Sequence, residues 1–459
     1  MTATSPAPRD GLLERSDDAP TYRKTSQHGS PITHACDPKP SGDVSGTPTS
    51  TAPAQQPKSR LVGIDATRGL AMLLIMAAHV LPFSGADGEP TNIYLLGGYG
   101  AAAFVFLAGV GVALSTGGST PVSSGRLAEQ TVVLVVRAFA IAALGLALGY
   151  VVEYGEHAVV VLTSYGLMFL LAVPLVRLTA RGAAVTAVLI GLVVPVLVHL
   201  TWGQLPTVQL VNPTFGDVVS DPLGWLVEVS VKGVYPALPW MAYFCAGIAV
   251  GRLRQLDSRR TALRLVAGGL VLAVVGKLIS WMLLGPLGGM AALEQAGTEN
   301  LEDRLAWGPG YQLPRSSWWW LATDAPYSAT PLELLQTVGV TLAGLGLVLL
   351  LARAAENQLL SLAAVGSMTL TLYVLHLLVL SLSGLPWGSL EVWVIHTVMV
   401  VVVATAWLMR FRRGPLEFLV GTLAAKAQGA VLRRPVGRQA AGIGGSRPDG
   451  QVPAAGPRR

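Results

Sequence analysis

About ten apolar runs, each near the roughly 17–25 residues that span a hydrocarbon layer as a helix, dominate this chain. They cover Ile64–Phe83, Gly98–Thr116, Val133–Val152, Val159–Val176, Ala183–Thr201, Val234–Gly251, Leu263–Leu284, Leu334–Leu351, Met368–Leu385 and Val392–Met409. Only 13% of the 459 residues are charged, where a soluble domain carries about a quarter, so lipid is the main solvent. The expected fold is an all-α, polytopic membrane helix bundle. The net charge of +6 does not point to nucleic acid, because the basic residues fall in short connections and tails. Arg126, Arg177 and Arg181, Arg252 to Arg260, Arg353, and Arg410 to Arg413 occupy alternate connections on one side, which the positive-inside rule makes cytoplasmic together with both termini. The other connections, including the two longest at 202–232 and 285–333, form an extracytoplasmic cap rich in interfacial tryptophan.

The composition divides the chain in three. Residues 1–59, rich in Ser, Thr, Pro and Gly, are expected as a disordered cytoplasmic tail, 60–413 as the membrane domain, and 414–459 as a second cytoplasmic tail, mostly disordered. The two cysteines, Cys36 and Cys245, lie in unlike surroundings and suggest neither a disulfide framework nor a metal cluster. The histidines are scattered, so no metal is expected.

Ionisable groups inside apolar helices are costly and therefore mark function. The first run concentrates them. Arg68 and His79, eleven residues apart, fall within about 20° of one another around a helix and roughly 16 Å apart along it. Asp65 lies within about 60° of both, so the three form one stripe that should face a protein-lined passage. Asp65 and Arg68 can pair across one turn. The bland reading makes Arg68 a membrane-edge anchor and His79 a histidine satisfied within the bundle. In the ninth run Thr369, Tyr373 and His376 share a face, either as a second acid/base group or as interhelical hydrogen bonding. His157, His199 and His396 read as interfacial, and Lys277 has no evident partner. Asp217, Asp221, Glu228 and Lys232 in the outer cap can contact an acceptor, although solvated loop charge is the default.

Arg60-x-x-x-Ile64-Asp65-x-x-Arg68-Gly-Leu-Ala, closed by His79, resembles the first helix of the transmembrane acyltransferase superfamily, shared with bacterial enzymes that O-acylate polysaccharides. Three later segments are similar to the heparan-alpha-glucosaminide N-acetyltransferase-like branch or to the wider superfamily. These are Gly98 to Gly109, the Tyr235-Pro-Ala-Leu-Pro239-Trp240 segment, and Gly366 to His376. In the eukaryotic enzyme of that branch the histidine regarded as catalytic lies in a loop after the first helix. Residues 81–98 hold no histidine here, so the base role passes to His79 through the bacterial pattern. The resemblance implies an acyl-CoA-dependent acyltransferase in the cell membrane that moves an acyl group, acetyl by analogy, from cytoplasmic acyl-CoA to a glycan or glycolipid hydroxyl or amine. The site residues expected on this basis are His79, Asp65 and His376 for catalysis, and Arg68, Arg137 and Tyr373 for substrate binding. Imidazole, with an ordinary pKa near 6.5, suits proton abstraction at neutral pH, and guanidinium groups suit CoA phosphates. A secondary transporter would show an internal repeat with matched broken helices, which is not evident. Composition does not separate an enzyme from a flippase, and it carries no signal for oligomeric state.

Overall fold

The computed structural model describes residues 62–432, apart from 86–88, 154–157, 210, 299, 308–313, 315 and 384–387. Arg60, His157, the N-terminal tail and the end of the C-terminal tail lie outside the described residues. Among the described residues sixteen α-helices follow one another. They are α1 Val62–Val80, α2 Asn92–Ser115, α3 Leu127–Leu148, α4 Leu162–Leu171, α5 Ala180–Thr201, α6 Phe215–Ser220, α7 Pro222–Val227 and α8 Ala237–Gly251. After them come α9 Arg259–Leu284, α10 Gly289–Gln295, α11 Leu301–Ala306, α12 Pro331–Ala354, α13 Glu356–Ser367, α14 Thr369–Ser383, α15 Leu390–Arg410 and α16 Pro415–Leu432. Among the described residues there is no strand.

Seven helices (α1, α2, α3, α5, α9, α12 and α15) are long and apolar enough to cross a membrane. Two bent pairs raise this to nine if each is one span: residues 222–232 with α8, bent by 48°, and α13 with α14, bent by 70°. Each of the ten expected runs meets a helix, but the run 159–176 yields only the ten-residue α4, because Pro174 cannot continue it and the chain tightens into a 3₁₀ turn at Val173–Arg177.

Helices α1, α2 and α8 are the most buried, and α5, α9 and α15 turn rows of Val, Leu and Ile outward, as a bilayer requires. Lipid offers no hydrophobic drive between helices, so close backbone approach has to supply packing. The α2–α8 crossing does this: a Cβ on Gly109 would lie 2.0 Å from the Phe244 carbonyl oxygen, and one on Gly247 1.9 Å from that of Phe106.

Arg252 is not a simple surface anchor. It is 2% exposed and donates to the carbonyls of Ala113, Thr116, Gly118 and Val176 and to Thr116 Oγ1 at 2.6–3.1 Å, tying the end of α2 and the turn after it to the 3₁₀ turn at Val173–Arg177. Arg252→Ala removes the donor from the Thr116, Gly118 and Val176 carbonyls at once. The expected result is a loss of about 3 kcal/mol or more, checked by denaturant unfolding in detergent.

The α13–α14 break at Met368 sets the direction of α14. Its first amides need acceptors, and Glu417 supplies them: Oε1 accepts from Leu370 N at 2.7 Å and Thr371 N at 3.2 Å, and Oε2 from the Thr371 hydroxyl at 2.5 Å. Glu417 belongs to α16, which packs on α3, so the segment expected as a tail from residue 414 begins with a helix that holds the bundle's late helices in place.

Candidate functional site

Helix α1 presents the stripe as its periodicity requires. Arg68 Nη1 pairs with Asp65 Oδ1 at 3.2 Å, and Arg68 Nη2 donates to the Leu107 carbonyl of α2 at 3.3 Å. The guanidinium passes over Gly111, where a Cβ would stand 2.6 Å from Nη2. Arg68 and His79 both line one cavity of about 210 Å³ enclosed by α1, α2, α3, α4 and the first turns of α14. Its polar lining comes from these two with Tyr165, Tyr235, Thr369 and Tyr373, and Phe104, Leu107 and Phe169 supply apolar wall. The Tyr165 hydroxyl is buried and meets no hydrogen-bond partner among the described residues. Asp65 is buried behind Arg68 and does not line the cavity.

The site reaches into two late helices. His376 of α14 is fully buried, with Nε2 3.1 Å from His79 Nδ1 and the two rings parallel to within 8°. His376 Nδ1 in turn lies 3.4 Å from His396 Nε2 on α15. The three imidazoles thus form a chain whose first member alone lines the cavity. His396, read from sequence as interfacial, is 3% exposed and belongs to this chain. Its helix is otherwise a lipid-facing apolar run, so only the contact itself reveals it. Tyr373 lines the cavity and its hydroxyl accepts from Val161 N at 3.3 Å, which fixes the ring beside His79.

Other expected residues are placed elsewhere. Arg137 is half-buried on α3, outside the cavity lining, in electrostatic range of Arg413. His199 lies against Trp318, with ring centres 4.5 Å apart and planes tilted by 46°. Lys277 pairs with Asp324 at 2.8 Å and its side chain is two-thirds exposed, so it is neither buried nor without a partner. The outer-cap charges hold their own loops: Asp217 forms a capping box with Thr214, Asp221 caps α7, Glu228 accepts from Val211 N, and Lys232 donates to the Leu205 and Pro206 carbonyls. Among the described residues no group of His, Cys, Asp and Glu can hold a metal ion.

Apolar helices of membrane length around an internal cavity that combines guanidinium, imidazole and phenol define a polytopic membrane protein with an intramembrane polar site. A family model described as an acyltransferase domain matches residues 61–411, more than three-quarters of the chain, and the protein belongs to that family of membrane acyltransferases, the acyltransferase 3 family. No curated protein matches the chain.

Proposed function

We propose that the protein transfers an acyl group, acetyl by analogy, from cytoplasmic acyl-CoA to a sugar hydroxyl or amine at or beyond the membrane. The observation that carries this reading is the sharing of one cavity by Arg68 and His79. Both termini and the Arg68 end of α1 are assigned to the cytoplasm, following the basic connections. The similarity of the Tyr235 to Trp240 segment supports placing the protein, within this proposal, in the heparan-alpha-glucosaminide N-acetyltransferase-like branch, and Tyr235 is itself part of the cavity wall.

The roles follow from the atoms. Arg68, held by Asp65, meets the donor's phosphate or pantetheine end as a planar fork. Arg137, which lies in electrostatic range of Arg413, is assigned to the donor's remaining phosphates by its charge. If His79 Nδ1–H donates to His376 Nε2, and His376 Nδ1–H to His396 Nε2, the His79 Nε2 lone pair faces the cavity as a base. That tautomer chain gives His376 an orienting role behind His79, in place of direct contact with substrate. The acceptor O–H or N–H gives its proton to His79, its heteroatom bonds to the thioester carbon, and the C–S bond breaks. The thiolate leaves with the proton returned by the imidazolium, as CoA thiol. The unpartnered Tyr165 hydroxyl is suited to the charge that develops on the carbonyl oxygen.

Membranes carrying the protein should release free thiol from acetyl-CoA when acceptor is present; transport of solute without thiol release would contradict the reading. Gly111→Val forces the Arg68 guanidinium away from the Leu107 carbonyl. A displaced guanidinium also loses its charge-assisted contact with the donor, worth about 1.5 kcal/mol, so the donor KM is expected to rise about tenfold.

A further inference from the structure

A second cavity, about 360 Å³, lies between the start of α2, the late turns of α9 and the start of α12. None of its lining residues belongs to the imidazole cavity. Its polar wall consists of Tyr99, Lys277, Asp324, Glu333, Gln336 and Thr337. Glu333 is 5% exposed; its Oε1 accepts from the Tyr243 hydroxyl at 2.8 Å and from the Thr337 hydroxyl at 2.9 Å, whereas Oε2 is buried with no partner among the described residues. A buried carboxylate oxygen without a donor is costly unless a ligand supplies one. Asp324 stands opposite, held by Lys277 at 2.8 Å and by the Ser280 hydroxyl at 3.0 Å. Gln336 Nε2 donates to the Tyr99 oxygen at 3.3 Å, which leaves the Tyr99 hydroxyl proton available to a guest.

We propose that this cavity binds the acceptor, and that the acceptor part it takes is a neutral polyhydroxylated group, a sugar. Each sugar hydroxyl both donates and accepts, which is the mixture offered here: carboxylate oxygens as acceptors, a phenol and an ammonium as donors. The two carboxylates repel a phosphate, so the polyanionic donor is kept out. The cavity also sits at the right end of the bundle. Tyr99 precedes by less than a turn Ala101, which lines the imidazole cavity on the same helix. Tyr327, with a left-handed φ of 59°, touches the walls of both cavities: its ring lies against Gly98, in the wall of this cavity, and 6.2 Å from the ring of Tyr235, in the wall of the other. This inference rests on the acyltransferase reading for the meaning of the ligand, and on the cavity alone for its chemistry.

The test is saturation-transfer NMR on the full chain in lipid nanodiscs, with the methyl glycosides of glucose, galactose and mannose, and glucose 6-phosphate as a charged probe of like size. The neutral glycosides are expected to receive saturation, glucose 6-phosphate at least tenfold less. Glu333→Gln, which retains an oxygen for Tyr243 and Thr337 but puts an amide donor where Oε2 accepted, and Asp324→Asn should each weaken the neutral signal at least tenfold. His79→Ala should leave it unchanged. No saturation from any neutral glycoside, equal saturation in Glu333→Gln, or preferred binding of the phosphate would overturn the proposal. Thermal stabilisation by acetyl-CoA, measured in parallel, should survive Glu333→Gln. Absence of that stabilisation in the unsubstituted protein would count against the donor reading alone.

Discussion

His79→Ala is expected to lower the rate of acyl transfer by about 10²- to 10⁴-fold, the range spanned by a positioned general base. The fall should appear in kcat with little change in the KM for acetyl-CoA, because Arg68, at the other end of the stripe, still holds the donor. His376→Asn should show a smaller loss: it removes the acceptor for His79 Nδ1–H, and with it the preference for the tautomer that leaves Nε2 unprotonated, yet keeps the base in the cavity. A merely structural His79 would give the opposite pattern, with both substitutions costing stability in equal measure and neither acting selectively on kcat. Detergent-solubilised protein assayed for free thiol, alongside a melting curve for each variant, separates the two outcomes.

Gly366→Val is expected to cost about 3 kcal/mol or more and to remove activity in whatever fraction stays folded. A Cβ at this position would stand 1.6 Å from the Asp65 carbonyl oxygen and 2.8 Å from the Gly69 amide nitrogen. The clash is with backbone, so no rotamer relieves it. Reciprocally, a Cβ on Gly69 would fall 2.1 Å from the Leu362 carbonyl oxygen. The α1–α13 crossing thus depends on two glycines in contact, and separating the helices moves Asp65 and Arg68 on one side and the base of α14 on the other. His376 rides on α14, so the imidazole chain and the guanidinium lose register together. Ellipticity and gel-filtration profile should both deteriorate, whereas Gly344→Val on α12, where a Cβ meets nothing within 4 Å, should be tolerated.

What could be read from the sequence was what depends on one helix at a time. The stripe of Asp65, Arg68 and His79 follows from 3.6 residues per turn, and the structure places Arg68 and His79 on one cavity and Asp65 against Arg68. The apolar runs likewise located the helices. Relations between helices were not legible. His396 carries no local signal because its neighbours on α15 are ordinary lipid-facing residues, and it gains meaning only from a contact with His376, itself 297 residues from His79. Tyr165 was hidden for the same reason, since an unpartnered hydroxyl is a property of its surroundings. The sharp turn before α14 has no proline, and the carboxylate that caps it comes from Glu417, in a stretch whose composition suggested a tail. Lys277 looked solitary because its partner, Asp324, lies in a loop with no periodicity to place it.

The most direct test is a structure of the protein in nanodiscs with a non-hydrolysable acetyl-CoA analogue. The account predicts the pantetheine arm inside the cavity, phosphates toward Arg68 and the acyl group beside His79, within about one water or hydroxyl group of its Nε2. An analogue bound outside that cavity, or one whose acyl group lies away from His79, would contradict it.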